Sequence, residues 1–416
     1  MTGFLSAVEA AARLGVTRAT LYAYVSRGLI RACEADDPRR RLYAADAVER
    51  LAVERRRGRR PKEIAKAALD FGAPVLESTI TLIRDGRLWH RGVDAVALAE
   101  TAELEDVAAL LWELPRNAAF GVTASLPLAP GAPAADAEAM LARFAASGEG
   151  EATAAWIVDP ERLAAGCGAL VRGMAAAATG VAGDAPIHVQ FAAAWGLDLR
   201  EAQRVRRALN LSADHELNAS SFTVRCVAST GASLQAGVVA GLAALSGPRH
   251  GGMTERVESL FDAAEAGGAA AALRRRLAAG EDLPGFGHPL YPNGDPRAAA
   301  LLAEVVDPLA AALIGEAERL TGLKPTLDFG LVATRRTLRL PRGAAFSLFA
   351  VGRTVGWIAH ALEQRKQGVL IRPRAVYVGK GPGEAALISA ARPSCARRGL
   401  RGGKRRTRRR WRSAHS

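Results

Sequence analysis

At 416 residues, 49% of them apolar, the chain has room for two to four domains at about 100–200 residues each and for a substantial core, which argues against a disordered or disulfide-stapled peptide. The formal net charge of +14 says little about the folded part, because residues 397–416 hold ten Lys or Arg and no acid, and removing those ten leaves only +4. Four scattered cysteines (Cys33, Cys167, Cys226 and Cys395) form no CxxC pair, so neither a zinc site nor a disulfide framework is indicated and reduced thiols are expected. There is no basic-then-apolar leader, and no uncharged apolar run approaches the roughly 20 residues of a membrane span, so a cytoplasmic protein with no membrane partner is expected.

In chain order, Ser6 caps a predicted helix reading AVEAAARL, Gly15-Val16 makes a turn, and Thr17 caps a second helix, RATLYAYVSR, that ends at Gly28. Two short helices across a glycine turn form a helix-turn-helix pattern. Gly28-Leu29-Ile30 leads to Arg39-Arg40-Arg41-Leu42-Tyr43, a predicted β-wing with a basic tip, and Asp46 caps a third helix, AVERLAVERRR. Residues 1–60 resemble the winged helix-turn-helix of MerR-type regulators. The candidate DNA contacts are Arg18, Tyr22, Arg27 and Arg40, with the wing arginines positioned for phosphates rather than for base edges. A helical docking module with a solvated basic face is the competing reading. Residues 61–74, entered through RRRGRRPK, read as a charged linker.

From about residue 75 the pattern changes. VLESTITLIRDGRLWHRG alternates around Asp85-Gly86 and predicts a hairpin. VDAVALAETAELEDVAALLWELP has helical spacing up to Pro115, residues 125–137 read as a Pro/Ala-rich loop, and residues 138–200 alternate Ala-rich helical pieces with glycine breaks. The remainder to about residue 380 is helical in pattern, with apolar faces that predict a large all-α body. The tail, 381–416, is basic and low in complexity. It reads as disordered, with counterion-release binding of nucleic acid as the functional alternative.

Six segments in the body carry chemistry: Asp214-His215-Glu216-Leu217-Asn218-Ala219-Ser220; Ser246-Gly247-Pro248-Arg249-His250-Gly251-Gly252; Gly285-Phe286-Gly287-His288 with Asp295-Pro296-Arg297; Leu327-Asp328-Phe329; Gly352-Arg353 running to His360; and Arg372-Pro373-Arg374. Glycines beside the histidines let backbone approach a ligand, and a histidine at a helix start sits beside free N–H groups. In this order the segments resemble the citrate synthase family from Pro74 to Gly379. The resemblance implies a mainly α fold, with a large and a small helical domain over residues 75–380 behind the helix-turn-helix unit.

The resemblance also implies roles. Asp328 is the base that deprotonates the acyl-CoA methyl, His250 hydrogen-bonds the thioester oxygen, and His288 polarises the oxaloacetate carbonyl. His215, Arg297 and Arg353 bind the dicarboxylate, and Arg372 reaches the partner's site in a homodimer. No metal or other cofactor is implied beyond acetyl-CoA as substrate. The reading is therefore an acyltransferase making citrate from acetyl-CoA and oxaloacetate. The alternatives are a DNA-binding regulator whose body senses a metabolite, and a 2-methylcitrate synthase using propionyl-CoA.

Four departures from the family pattern stand out: residues 125–200 are short and irregular against a typical member, and three segments differ. Pro289-Leu290-Tyr291-Pro292 replaces a segment that usually carries a basic residue, GGMTERV replaces GGANEAV, and the common Tyr-Ser-Gly is missing after Asp328-Phe329. The Pro289–Pro292 replacement predicts a weaker hold on CoA phosphates.

Overall fold

The Ser6 hydroxyl accepts the N–H of Glu9, whose carboxylate accepts the N–H of Ser6, and this reciprocal cap starts helix α1 (Ala7–Leu14). The computed structural model describes residues 4–14, 16–26, 30, 32–34, 41–45, 48, 76–121, 131–134, 136–147, 151–375 and 377–379. Helix α2 (Arg18–Ser26) follows the turn, with Thr17 Oγ1 accepting the N–H of Thr20. Strands β1 (Phe4–Ser6), β2 (Ala32–Glu34) and β3 (Arg41–Ala44) form an antiparallel sheet in the order β1-β3-β2; β2 and β3 fall on the predicted wing, whose basic tip lies outside the described residues, and β1 is a strand the sequence reading did not expect. Ala10, Leu14, Leu21, Ile30, Tyr43 and Val48 close a small core of their own. Most of the third predicted helix, the linker 61–74 and the tail from residue 380 lie outside the described residues.

The body opens with strands β4 (Thr81–Arg84), β5 (Arg87–His90) and β6 (Val93–Asp94), in the order β4-β5-β6. Asp85 and Gly86 both take positive φ, 53° and 72°, as a two-residue hairpin turn with the right twist requires. The stretch read as one helical run up to Pro115 is instead β6 followed by two helices, α3 (Ala95–Thr101) and α4 (Leu104–Trp112). Capping decides the break. Asp94 accepts two N–H groups at the start of α3, and Glu103 and Asp106 form a capping box at the start of α4. The Arg206 guanidinium takes the carbonyls of Ala99, Glu100 and Ala102, so the broken end leaves few orphan acceptors.

The remaining helices are α5 (Arg116–Phe120), α6 (Ala137–Ala145), α7 (Pro160–Thr179), α8 (Ile187–Trp195), α9 (Leu199–Ser212), α10 (Ala219–Ser229), α11 (Leu234–Leu245), α12 (Met253–Gly267), α13 (Ala269–Ala278), α14 (Pro296–Leu302), α15 (Pro308–Thr321), α16 (Leu327–Thr337) and α17 (Ala344–Gln367). Helix α17 is the hub, with α4, α7, α9, α10 and α11 packed around it, while α12, α13, α15 and α16 pack on one another. By length and composition α17 could cross a membrane, although Arg353 interrupts its apolar run. Its most apolar 18-residue stretch is 94% buried inside the protein, and it serves as a core helix. Residues Met1–Ile371 form one compact unit, and a second begins at Arg372.

Candidate active site

Helix α17 carries glycines at 352 and 356, four residues apart on one face. A Cβ at Gly352 would fall 2.4 Å from the Leu209 carbonyl oxygen, and one at Gly356 would fall 2.4 Å from that of Ala213. Bare backbone therefore lets α17 press against the end of α9 and the turn after it, and Gly356 N–H donates to Ala213 O at 3.0 Å. Arg353, between these glycines, is pinned by donating from Nε to Ser212 O at 2.8 Å. Its Nη1 is buried with no hydrogen-bond partner. In the same turn Asp214 is fully buried, accepts the Glu216 N–H at 3.1 Å and lies 3.2 Å from His360 Nε2. His215 follows, with Nε2 3.0 Å from the Tyr291 hydroxyl and its ring edge-on to His288 at a centroid distance of 5.2 Å.

A backbone clasp joins the His288 and Asp328 segments. Gly287 N–H donates to Lys324 O at 2.9 Å, Thr326 N–H donates to Gly285 O at 2.8 Å, and Phe286 pairs with Pro325. Asp295 adds a second tie. It caps α14, grips Arg297 through Nε and Nη2 at 3.0 and 2.8 Å, and accepts the Leu327 N–H at 3.1 Å from the first turn of α16. Asp328 is thereby fixed one residue later. Its Oδ2 lies 3.4 Å from Thr326 Oγ1, and its Oδ1 is buried without a partner. The His288 Nδ1 accepts the Leu290 N–H at 3.2 Å, so a neutral ring carries its proton on Nε2.

His250 sits in the tight turn between α11 and α12, where its N–H donates to Gly247 O at 2.9 Å and its carbonyl accepts the Met253 N–H at 2.8 Å. Its Nε2 lies 2.8 Å from Ser220 Oγ. His215, His250, His288, Arg297, Asp328 and Arg353 all line one cavity of about 1910 Å³.

Burial dominates the electrostatics of this cavity. Burial, then Arg353, lowers His250 to about 3, and burial, then Arg297, lowers His288 to about 4. Burial, then Arg297 and Arg353, holds His215 well below the usual imidazole range. The three imidazoles are therefore neutral near pH 7, and the fixed positive charge belongs to the arginines. Burial alone would raise Asp214, but His360 and Arg353 outweigh it and hold the carboxyl below its usual range. Burial raises Asp328 to about 6, with Arg297 opposing, so this carboxylate is more basic than an exposed one. Arg353 is lowered by burial to about 10 and stays charged.

Six of the seven predicted catalytic and substrate residues thus share one cavity. The seventh, Arg372, is exposed and opens the second compact unit. Of the predicted DNA contacts, Arg18 opens α2 and Tyr22 is exposed on it, while Arg27 and Arg40 lie outside the described residues. The sequence reading passed over Tyr291, Asp295, Ser220 and Trp357, although all four lie in the quoted segments or directly beside them. The segment Pro289–Pro292, read only as a loss on the CoA side, contributes Tyr291 to the His215 end of the cavity.

Comparison with known proteins places these residues in context. The family described as "Citrate synthase, C-terminal domain" matches residues 70–374, and the family described as "Helix-turn-helix domain" matches residues 4–56. "Putative citrate synthase 2" of Mycobacterium tuberculosis is 38% identical over 185 residues, 41% of this chain and 50% of that protein. "2-methylcitrate synthase 1" of Corynebacterium glutamicum is 34% identical over 205 residues, 46% of this chain and 53% of that protein. The chain thus spans about half the length of the curated relatives it matches. The fold is that of citrate synthase from Thermoplasma acidophilum, solved as a ternary complex with carboxymethyl coenzyme A and oxaloacetate. That structure has a TM-score of 0.65 and 24% identity, covering 76% of this chain and 97% of that one.

Proposed function

We propose that this chain, which belongs to the citrate synthase family, condenses the methyl carbon of acetyl-CoA with the keto carbon of oxaloacetate and, with water, releases citrate and CoA. One observation carries the reading. Asp328 Oδ1 and Arg353 Nη1 are buried and unbonded in residues that line the same cavity as three neutral imidazoles. Native proteins rarely leave buried polar atoms unpaired, and a carboxylate and a guanidinium so placed suit a proton to be removed and an anion to be held.

In this reading Asp328 takes a methyl proton from the acyl thioester, and the C–H electron pair becomes the C=C bond of an enol(ate). A thioester α-proton is weakly acidic, so the developing oxyanion needs a donor, and His250 supplies it. The enol carbon attacks the ketone, and the His288 Nε2–H delivers its proton to the new alkoxide. Arg297, Arg353 and His215 hold the two carboxylates. Water then cleaves the thioester to citrate and the CoA thiol. The working unit is a homodimer in which Arg372 reaches the partner's cleft, as the Arg372-Pro373-Arg374 segment suggests.

Arg249 and Arg256 line the outer part of the cavity beside His250 and Met253, and form no ion pair among the described residues. We assign them to the CoA phosphates, in place of the basic residue missing after His288. A relative named as a 2-methylcitrate synthase keeps propionyl-CoA in play, since one methylene is worth only about 1–3 kcal/mol of discrimination. Thiol release with each acyl-CoA and oxaloacetate tests both points. A higher kcat/KM for acetyl-CoA is expected. A higher value for propionyl-CoA moves the reading to 2-methylcitrate, and no release with either contradicts it.

The helix-turn-helix match at residues 4–56, with its paired helices and wing, favours a second role in binding DNA. A gel shift with DNA from upstream of its own coding sequence, with and without oxaloacetate, is the test. Salt-sensitive binding is expected, and its absence removes this role.

A further inference from the structure

We infer that Trp357 is a positioning residue for the condensation: by donating its indole N–H to Ser220 Oγ, it sets which ring nitrogen of His250 carries the proton. The inference rests on the proposed role of His250 as the donor to the thioester oxygen.

Three groups converge on the buried Ser220 hydroxyl. Trp357 Nε1 is 3.0 Å away and can only donate. His250 Nε2 is 2.8 Å away and donates or accepts according to its tautomer. Asn218 Oδ1 is also 2.8 Å away and can only accept. That oxygen already takes the N–H groups of Ser220 and Ser221, both at 3.1 Å, as the cap of α10.

The hydroxyl has one proton to give, so two arrangements compete. In the first, the proton points to Asn218. His250 then donates from Nε2, and its Nδ1 is left bare. In the second, the proton points to His250 Nε2, and the ring proton must sit on Nδ1. Nε2 faces Ser220, so Nδ1 is the nitrogen left for a ligand, and only the second arrangement gives that ligand a donor.

The Trp357 N–H tilts the balance. A donor into Oγ withdraws electron density and makes the hydroxyl a stronger donor and a weaker acceptor, which favours giving its proton to the imidazole. The first arrangement also asks Asn218 Oδ1 to accept a third hydrogen. Trp357 is held for this task. Both Trp357 and Ser220 are fully buried, and the indole packs so closely on Gly241 that a Cβ there would fall 2.8 Å from the ring. The indole donates through Ser220 rather than lining the cavity itself.

The test is Trp357→Phe, which keeps an aromatic ring and removes the N–H. Imidazole nitrogen NMR on isotope-labelled histidine separates the two tautomers, and the seven histidines of the chain leave the spectrum assignable with a His250→Gln control. The parent is expected to show His250 protonated on Nδ1, and the variant to shift toward Nε2. In the variant kcat should fall about three- to tenfold, the worth of one hydrogen bond, with KM for oxaloacetate unchanged. Trp357→Phe combined with Ser220→Ala should be no slower than Ser220→Ala alone. Should Trp357→Phe not fold, incorporation of the benzothienyl analogue of tryptophan keeps the bicyclic shape without the N–H and gives the same readout. An unchanged tautomer, or losses that multiply in the double variant, overturns the inference. The NMR readout needs no turnover, so an inactive parent would sink the proposed function while leaving this inference separately decided.

Discussion

The inner end of the cavity and its mouth are built differently. At the inner end the side chains are positioned by ties to the surrounding elements: Arg353 Nε to the end of α9, Arg297 to Asp295, which also accepts the Leu327 N–H of α16, His215 to Tyr291, and the backbone leading to Asp328 through the clasp between Gly285–Gly287 and Lys324–Thr326. At the mouth, Arg249 is exposed and Arg256 half-buried, and the segment after His288 is rich in proline. The inner end is over-determined by packing, so a substitution there disturbs several bonds at once. The mouth presents charge on long side chains, where one arrangement can replace another. Of the departures from the family pattern, Met253, Arg256 and Pro289 lie at the mouth, whereas Tyr291 and the segment after Asp328-Phe329 lie at the inner end.

The sharpest way to break the comparison is at Asp328. Asp328→Asn should lower kcat by about 10²–10⁴-fold, the usual range for a general base, with little change in either KM. A change confined to KM would show that Asp328 only binds. Arg353→Ala comes next. Loss of a charge-assisted contact worth about 1.5–3 kcal/mol should raise KM for oxaloacetate roughly 10- to 150-fold and leave KM for acetyl-CoA alone.

The buried carboxyl also sets a pH dependence. With Asp328 raised to about 6, kcat/KM should fall about tenfold per unit below that pH, while His250 and His288, lowered to about 3 and 4, add no limb near neutrality. The stability sign is opposite. The folded-state value lies above the ordinary 3.8, so ionising Asp328 disfavours the folded state, absent below pH 3.8, growing up to about 6 and constant above. Asp328→Asn should therefore melt higher than the parent at pH 8 and match it at pH 3.5. A variant no more stable at pH 8 would mean that the carboxyl is not held in an apolar setting.

The smallest effect belongs to the mouth. Arg249→Ala with Arg256→Ala should raise KM for acetyl-CoA only about two- to thirtyfold, because each such surface charge is worth about 0.2–1 kcal/mol. The loss should shrink in salt and vanish for acetyl-pantetheine, which lacks the nucleotide phosphates. A rise in KM for oxaloacetate instead would erase the distinction between the two ends.

Much of this was legible in the sequence, for identifiable reasons. The hairpin at Asp85-Gly86 announces its turn, and the glycine-flanked histidines mark backbone that must approach something closely. What stayed hidden depends on tertiary contacts. The break between α3 and α4 needs Arg206, more than a hundred residues away, to donate to the loose carbonyls. Tyr291 reads as part of a loop until its hydroxyl meets His215, and nothing in the spacing around Trp357 points to Ser220, which its N–H meets from 137 residues away. Spacing along one chain does not carry such pairings.

The central claim is that this cavity makes a carbon–carbon bond. Acetyl-CoA labelled in its methyl carbon, incubated with oxaloacetate and the full-length protein, puts it to the most direct test. The account predicts one free thiol per labelled tricarboxylate formed, with Asp328→Asn producing neither at a comparable rate. Thiol release without a labelled tricarboxylate, or release that survives Asp328→Asn, would contradict it.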